Sequence, residues 1–223
     1  MSESDYDVDL TIDRLGAATI PSPMRLTRFT PDGERVICET DPVFIRRDLE
    51  AGQELSSFEA AGPRERLYFD LAHVRAGIVT CGGVCPGIND VIRAIVLSLH
   101  HHYGVETIYG FRFGYEGLVA DFGHEPLMLT PAVVEAIGEL GGTVLGTSRG
   151  NQDVGRMVDT LVERGVSMLF TIGGDGTLRG AGAIAAEIAR RGLSIAVVGV
   201  PKTIDNDILL IERSFGFVTA TAE

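Results

Sequence analysis

A chain of 223 residues with 45% hydrophobic and 22% charged residues has a globular balance and the length for one large domain. The formal charge of −12 argues against nucleic acid or an anionic membrane surface as a partner, because phosphate backbones reward Lys and Arg. It leaves room for a small phosphorylated substrate held by a local pocket of donors. No stretch approaches the ~20 apolar residues of a membrane helix, and the acidic opening MSESDYDVDLTID predicts no leader, so a cytoplasmic chain is expected.

Residues 1–70 hold 15 acidic and 8 basic residues, breaks that contain Pro (IPSP, TPDG, DPVF, AGPRER) and no sustained period. They predict an extension of short strands and turns packed on a main domain. From Val74 the texture becomes alternating strand and helix. VRAGIVT is a strand, and Asn89 or Asp90 is expected to cap a helix running to about His102. ETIYGF is the next strand, followed by the loop FRFGYEGL. Thr130 and Pro131 start a helix that Gly141 and Gly142 end. TVLG is read as a short strand. Asp153 caps a helix stopping at Gly165, VSMLFTIGG is an apolar strand, Thr177 is expected to cap a helix ending at Gly192, and LSIAVVGVP is another buried strand. Apolar strands separated by 10–15-residue helices predict an α/β, doubly wound, mostly parallel sheet with helices on both faces.

Cys38, Cys81 and Cys85 are odd in number and suit a reducing compartment. CGGVC lacks the partners of a zinc site, and His100, His101 and His102 are consecutive, so on a helix they diverge. They read as basic residues favourable at a helix C-terminus.

In such sheets ligands bind beyond the carboxyl ends of the strands, so the strand-to-helix turns matter most. In TCGGVCPGIND, Gly82, Gly83 and Gly87 let backbone approach a ligand at a helix N-terminus, a phosphate site in outline. Alone, that turn suits a tight bend equally well, since it matches neither GxGxxG nor the P-loop. IGGDGTLRG sets Asp175 among Gly173, Gly174 and Gly176, where one carboxylate suits Mg²⁺ held by water and substrate phosphates. Thr177 would contact phosphate or cap the helix. VGVPKTIDNDI carries Asp205 and Asp207 around Asn206, two carboxylates able to divide labour between base and metal support. Lys202 beside them is the single Lys of the chain, against 18 Arg. The bland alternative is a polar turn closed by Asx hydrogen bonds. GTSRGNQD adds Arg149, whose weight depends on the other three turns.

Together these segments resemble the phosphofructokinase family. TCGGVCPGIND, FGYEGL, LGTSRGNQD, GGDGT, PKTIDND and ERSFGFVTA stand in the family's order from about Arg75 onward, and residues 1–70 resemble the extension of its longer ATP-dependent branch. The resemblance implies phosphoryl transfer from ATP–Mg²⁺ to the 1-hydroxyl of fructose 6-phosphate. It implies that Gly83, Arg149 and Gly150 bind nucleotide phosphates, that Tyr115 lies near the nucleoside, and that Gly174, Asp175, Gly176 and Thr177 form the ATP–Mg²⁺ loop with Asp175 on the metal. Lys202, Thr203, Ile204 and Asp205 would touch the sugar phosphate. Asp205 would be the base, Asp207 its support, and Arg149 would also stabilise the group in flight. A glycolytic, allosteric, cytoplasmic homotetramer is implied. Pyrophosphate is the rival donor: Gly176 speaks against it and Lys202 for it. NAD and lipid kinases share GGDGT but lack TIDND and TSRG, and intact carboxylates argue against a non-catalytic relative. The family's later sugar-phosphate ligands lie beyond Glu223. Residues 71–212 are thus expected to be the nucleotide-binding domain and 213–223 the start of a second one, the piece alone being inactive and poorly soluble.

Overall fold

Residues 10–222 are described by the computed structural model. Expectations for the first nine residues and for Glu223 lie outside them. The chain divides into two compact units, Met1–Tyr68 and Phe69–Glu223.

In the first unit, β1 (Ile20–Pro21) pairs antiparallel with β4 (Arg66–Leu67), and β2 (Arg35–Ile37) pairs antiparallel with β3 (Ser57–Glu59). Among its described residues only Ala60 is a buried apolar side chain. Polar bonds do the joining instead. The Arg64 guanidinium donates to the Thr30, Pro31 and Ala60 carbonyls and to the Glu59 carboxylate. One expectation fails here: DPVF, read as a break, starts a helix, α1 (Pro42–Glu50). Asp41 accepts from the Val43 N–H at 2.8 Å, and Pro42 occupies the first turn, where its missing N–H costs nothing.

The second unit is built on one sheet of order β7-β6-β5-β8-β9. β5 (Arg75–Thr80), β6 (Thr107–Phe111), β8 (Met168–Gly173) and β9 (Ala196–Pro201) run parallel, and β7 (Leu127–Met128) adds antiparallel to β6. Side chains alternate across β5 with period two. Ala76 and Ile78 join a core with Ile88, Ile92 and Val96 of α2 (Ile88–Tyr103). Val79 joins a core on the other face with Met157 and Leu161 of α4 (Val154–Glu163) and Ile184 and Ile188 of α5 (Asp175–Arg190). Helices therefore cover both faces, as expected for a doubly wound α/β fold.

Local expectations were corrected at four places. Asn89 does not cap α2; Gly87 does, at φ 90°, while the buried Asn89 side chain donates to the Leu140 carbonyl and accepts from the Val144 N–H, each at 2.9 Å. The helix begun by Thr130 and Pro131 is only α3 (Pro131–Val134), followed by a 3-10 turn. There Gly138 comes so close to Asp90 that a Cβ would strike its carboxylate. TVLG is a turn, not a strand: the Gly146 N–H bonds the Thr143 carbonyl at 3.1 Å. Thr177 lies inside α5, whose cap is Gly174. A short α6 (Phe217–Ala222) ends the described chain, and no described helix is long and apolar enough to cross a membrane.

Candidate phosphoryl-transfer site

A cavity of about 990 Å³ opens beyond the carboxyl ends of β5, β8 and β9. It is where a doubly wound sheet holds ligands. The structure brings most of the singled-out residues to its lining: Gly82, Gly83, Tyr115, Arg149, Gly150, Gly174, Asp175, Gly176, Thr177, Lys202, Thr203, Ile204, Asp205 and Asp207; Gly87, which caps α2, and Gly173 do not line it.

The turn after β5 is backbone laid open. Gly82 adopts φ 80°, and no atom lies within 4 Å of where a Cβ on Gly82 or Gly83 would sit. The Gly82 N–H is held by the Ser148 carbonyl at 3.1 Å, and the Thr147 hydroxyl donates to the Gly82 carbonyl at 2.7 Å. This ties the glycine turn to the segment that carries Arg149. Arg149 and Gly150 are exposed.

The turn after β8 runs straight into α5. Its first-turn N–H groups and the positive end of the helix dipole face the cavity, suited to an anion. Gly176 has open space around its would-be Cβ. Asp175 is 65% exposed and pairs with Arg179, one helical turn on, at 3.5 Å. Thr177 is buried beneath Gly173.

Tyr115 forms the back wall. Its buried hydroxyl donates to the Thr177 carbonyl at 2.6 Å, and its ring lies 2.5 Å from where a Cβ on Gly180 would stand. The hydroxyl is thus occupied, and what Tyr115 offers a ligand is aromatic surface. Burial raises its pKa. Burial also pushes the neighbouring Cys81 thiol up to about 12, against the pull of hydrogen bonds from the Tyr115 backbone and the Thr177 side chain and of the Lys202 charge. Cys81 is a packed thiol, not a nucleophile.

The turn after β9 is knotted by side chains. Thr203 donates its hydroxyl to Asp207 at 2.7 Å and accepts from the Asp205 N–H at 3.2 Å. Asn206, at φ 55°, donates to the Glu212 carbonyl at 2.9 Å and accepts from the Ser214 N–H at 2.7 Å. The Ser214 hydroxyl returns to the Thr203 carbonyl. Lys202 is 5% exposed, and its ammonium donates to the Gly83 carbonyl, bridging the turns after β5 and β9. The Asp205 carboxylate has no hydrogen bond or ion pair among the described residues, and it is exposed to the cavity.

Among the described residues no three His, Cys, Asp or Glu side chains converge on a metal position. That suits Mg²⁺, which keeps water and needs one or two carboxylates plus substrate phosphates. Arg179, Gly180 and Ala183, which no motif singled out, also line the cavity. The signal was available in the spacing 176, 179, 180, 183, one face of a helix.

The phosphofructokinase family matches residues 75–223. The ATP-dependent 6-phosphofructokinase of Amycolatopsis methanolica is 48% identical over 222 residues, covering 96% of this chain and 48% of that protein. The enzyme of the same description from Trypanoplasma borreli is 53% identical over 171 residues, 77% of this chain and 35% of its own. The chain thus spans about half or less of the length of these curated relatives. Among solved structures, the pyrophosphate-dependent phosphofructokinase from Marinobacter aquaeolei aligns over 65% of this chain and 37% of its own, with TM-score 0.59 and 23% identity. Pichia pastoris phosphofructokinase in the T-state aligns over 75% of this chain and 20% of its own, with TM-score 0.57 and 24% identity. At such identities the likeness speaks for the fold.

Proposed function

The chain belongs to the phosphofructokinase family, and from that premise we propose that it supplies the donor site and the base of a kinase moving the γ-phosphoryl of ATP–Mg²⁺ to the 1-hydroxyl of fructose 6-phosphate. The observation that carries this reading is one cavity holding both an open, glycine-lined helix start and a carboxylate, Asp205, that has no partner among the described residues.

The division of labour follows from the hydrogen bonds. Asp207 is engaged by Thr203, so it holds the turn. Asp205 is aimed by its own N–H bond to Thr203 and keeps its carboxylate for a substrate proton. As the sugar oxygen bonds to the γ-phosphorus, the bond to the β–γ bridging oxygen breaks, ADP leaves and Asp205 takes the hydroxyl proton. Arg149 and the N–H groups of Gly83, Gly150, Gly174 and Gly176 bind the phosphates, and Tyr115 backs the nucleotide with its ring. Asp175 and the nucleotide phosphates would hold Mg²⁺, which would supply neutralisation of the phosphate charge. Thr203 and Ile204 frame the acceptor side, and Lys202, its ammonium engaged by the Gly83 carbonyl, ties that side to the turn after β5. Most of the rate comes from positioning, which such a fixed cradle favours.

Gly176 selects ATP, because open backbone there admits a phosphate that a longer side chain would crowd. The proposal extends to a cytoplasmic, allosteric homotetramer. The test is a coupled assay, with ATP and pyrophosphate in parallel, of a polypeptide of the relatives' full length that carries this segment. Turnover with ATP alone is expected. Turnover with pyrophosphate alone would reverse the donor assignment, and turnover with neither would end the reading.

A further inference from the structure

The cavity face of α5 is a row of Gly176, Arg179, Gly180 and Ala183. Three of these have almost no side chain, so the one long group projecting from the row is the Arg179 guanidinium. Three cations and three carboxylates line the cavity: Arg149, Arg179 and Lys202 against Asp175, Asp205 and Asp207. They are not equally available. Lys202 is engaged by the Gly83 carbonyl and Asp207 by Thr203. Arg179 lies 3.5 Å from Asp175, in an exposed pair with side chains 77% and 65% accessible.

We propose that Arg179 is a positioning residue that holds Asp175 in the empty site and transfers to the nucleotide phosphates when a divalent cation takes Asp175. The inference rests on the donor-site reading above and deepens it. An exposed i,i+4 pair is weakly held and easily exchanged. A divalent cation on Asp175 outbids the guanidinium, and the same event frees a fork of N–H donors beside the incoming phosphates. Cation and nucleotide therefore bind cooperatively: the cation adds its own charge and releases that of Arg179. Without the cation the nucleotide meets a site in which Arg179 is tied to Asp175.

The experiment is calorimetry on a polypeptide of the relatives' full length that carries this segment, with Arg179→Gln, Arg179→Lys and Arg149→Gln. Arg179 pairs only with Asp175 among the described residues, so its variants are expected to keep the parent's circular dichroism and melting temperature. Arg179→Gln should weaken Mg²⁺–ATP binding about tenfold, with Arg179→Lys recovering part of that loss. ATP without divalent cation should lose less than threefold. Mn²⁺ titrated alone should bind Arg179→Gln two- to fivefold more tightly than the parent, because its competitor is gone; a merely structural Arg would not produce that gain. If Arg149→Gln weakens Mg²⁺–ATP but Arg179→Gln stays within twofold of the parent, the donor site stands and this inference falls. Unchanged Mn²⁺ affinity would overturn the exchange at Asp175. Absence of Mg²⁺–ATP binding by the parent would remove the donor-site reading and this inference with it.

Discussion

The turns after β8 and β9 face one cavity and are built by opposite means. The first is almost bare backbone: Gly173 and Gly174, then a helix that begins at Asp175, with open space at Gly176. The second is held by side chains, with Thr203, Asn206, Asp207 and Ser214 bonding within a single loop. The difference suits the proposed division of labour. A site that must admit phosphate needs N–H donors and no Cβ in the way. A site that must aim one carboxylate needs its neighbours fixed and that carboxylate left over.

The contrast is sharpest at Asp205. Asp205→Ser is expected to lower kcat by ~10²–10⁴ with KM values within a few-fold, measured by coupled assay in a polypeptide of the relatives' full length. Near-normal turnover would move the proton to Asp207 or remove it from this loop. Gly176→Asp should cut kcat/KM for ATP by at least ~100-fold, about 2.7 kcal/mol. Because a Cβ there meets nothing within 4 Å, the melting temperature should stay with the parent's. An ATP kcat/KM within threefold of the parent would show that this turn does not line the phosphates. Thr203→Val should behave the other way, lowering stability. It strips Asp207 and the Asp205 N–H of their shared partner, at about 1–3 kcal/mol in denaturant unfolding, and costs roughly tenfold in kcat. Loss of activity without loss of stability would mean the loop is not held by these bonds.

The parallel sheet was legible because buried strands read as apolar runs between helices, as β5 and β8 do; β9, expected to be buried as well, is instead an edge strand with Val198 and Gly199 exposed. The glycine turns and the TIDND loop were legible because each demands residue types that packing alone does not explain. What sequence could not reveal was where a local signal is taken over by a distant partner. Asn89 has the chemistry of a helix cap, but Leu140 and Val144 claim its amide. Thr177 likewise looks like a cap and is buried behind Gly173 instead. TVLG has strand composition, but Thr143 is drawn to Thr80, with hydroxyls 2.9 Å apart, and the segment turns. In the first unit DPVF combined a cap with a Pro, and the Pro hid the start of α1. Arg179 went unseen because the helical spacing 176, 179, 180, 183 marks a shared face without saying which face meets the cavity, and α5 supplies that.

The bridge from Lys202 to Gly83 has a consequence for observing the molecule. The sequence contains one lysine, and it lies between two turns that face the cavity. Biosynthetic labelling of residues 1–223 with ¹³Cε-lysine would therefore give a single side-chain resonance, free of overlap and shielded from solvent. Its shift would follow the distance between those turns as ligands are added, so this 223-residue segment carries a one-site spectroscopic gauge of its own cavity without any engineered cysteine or dye.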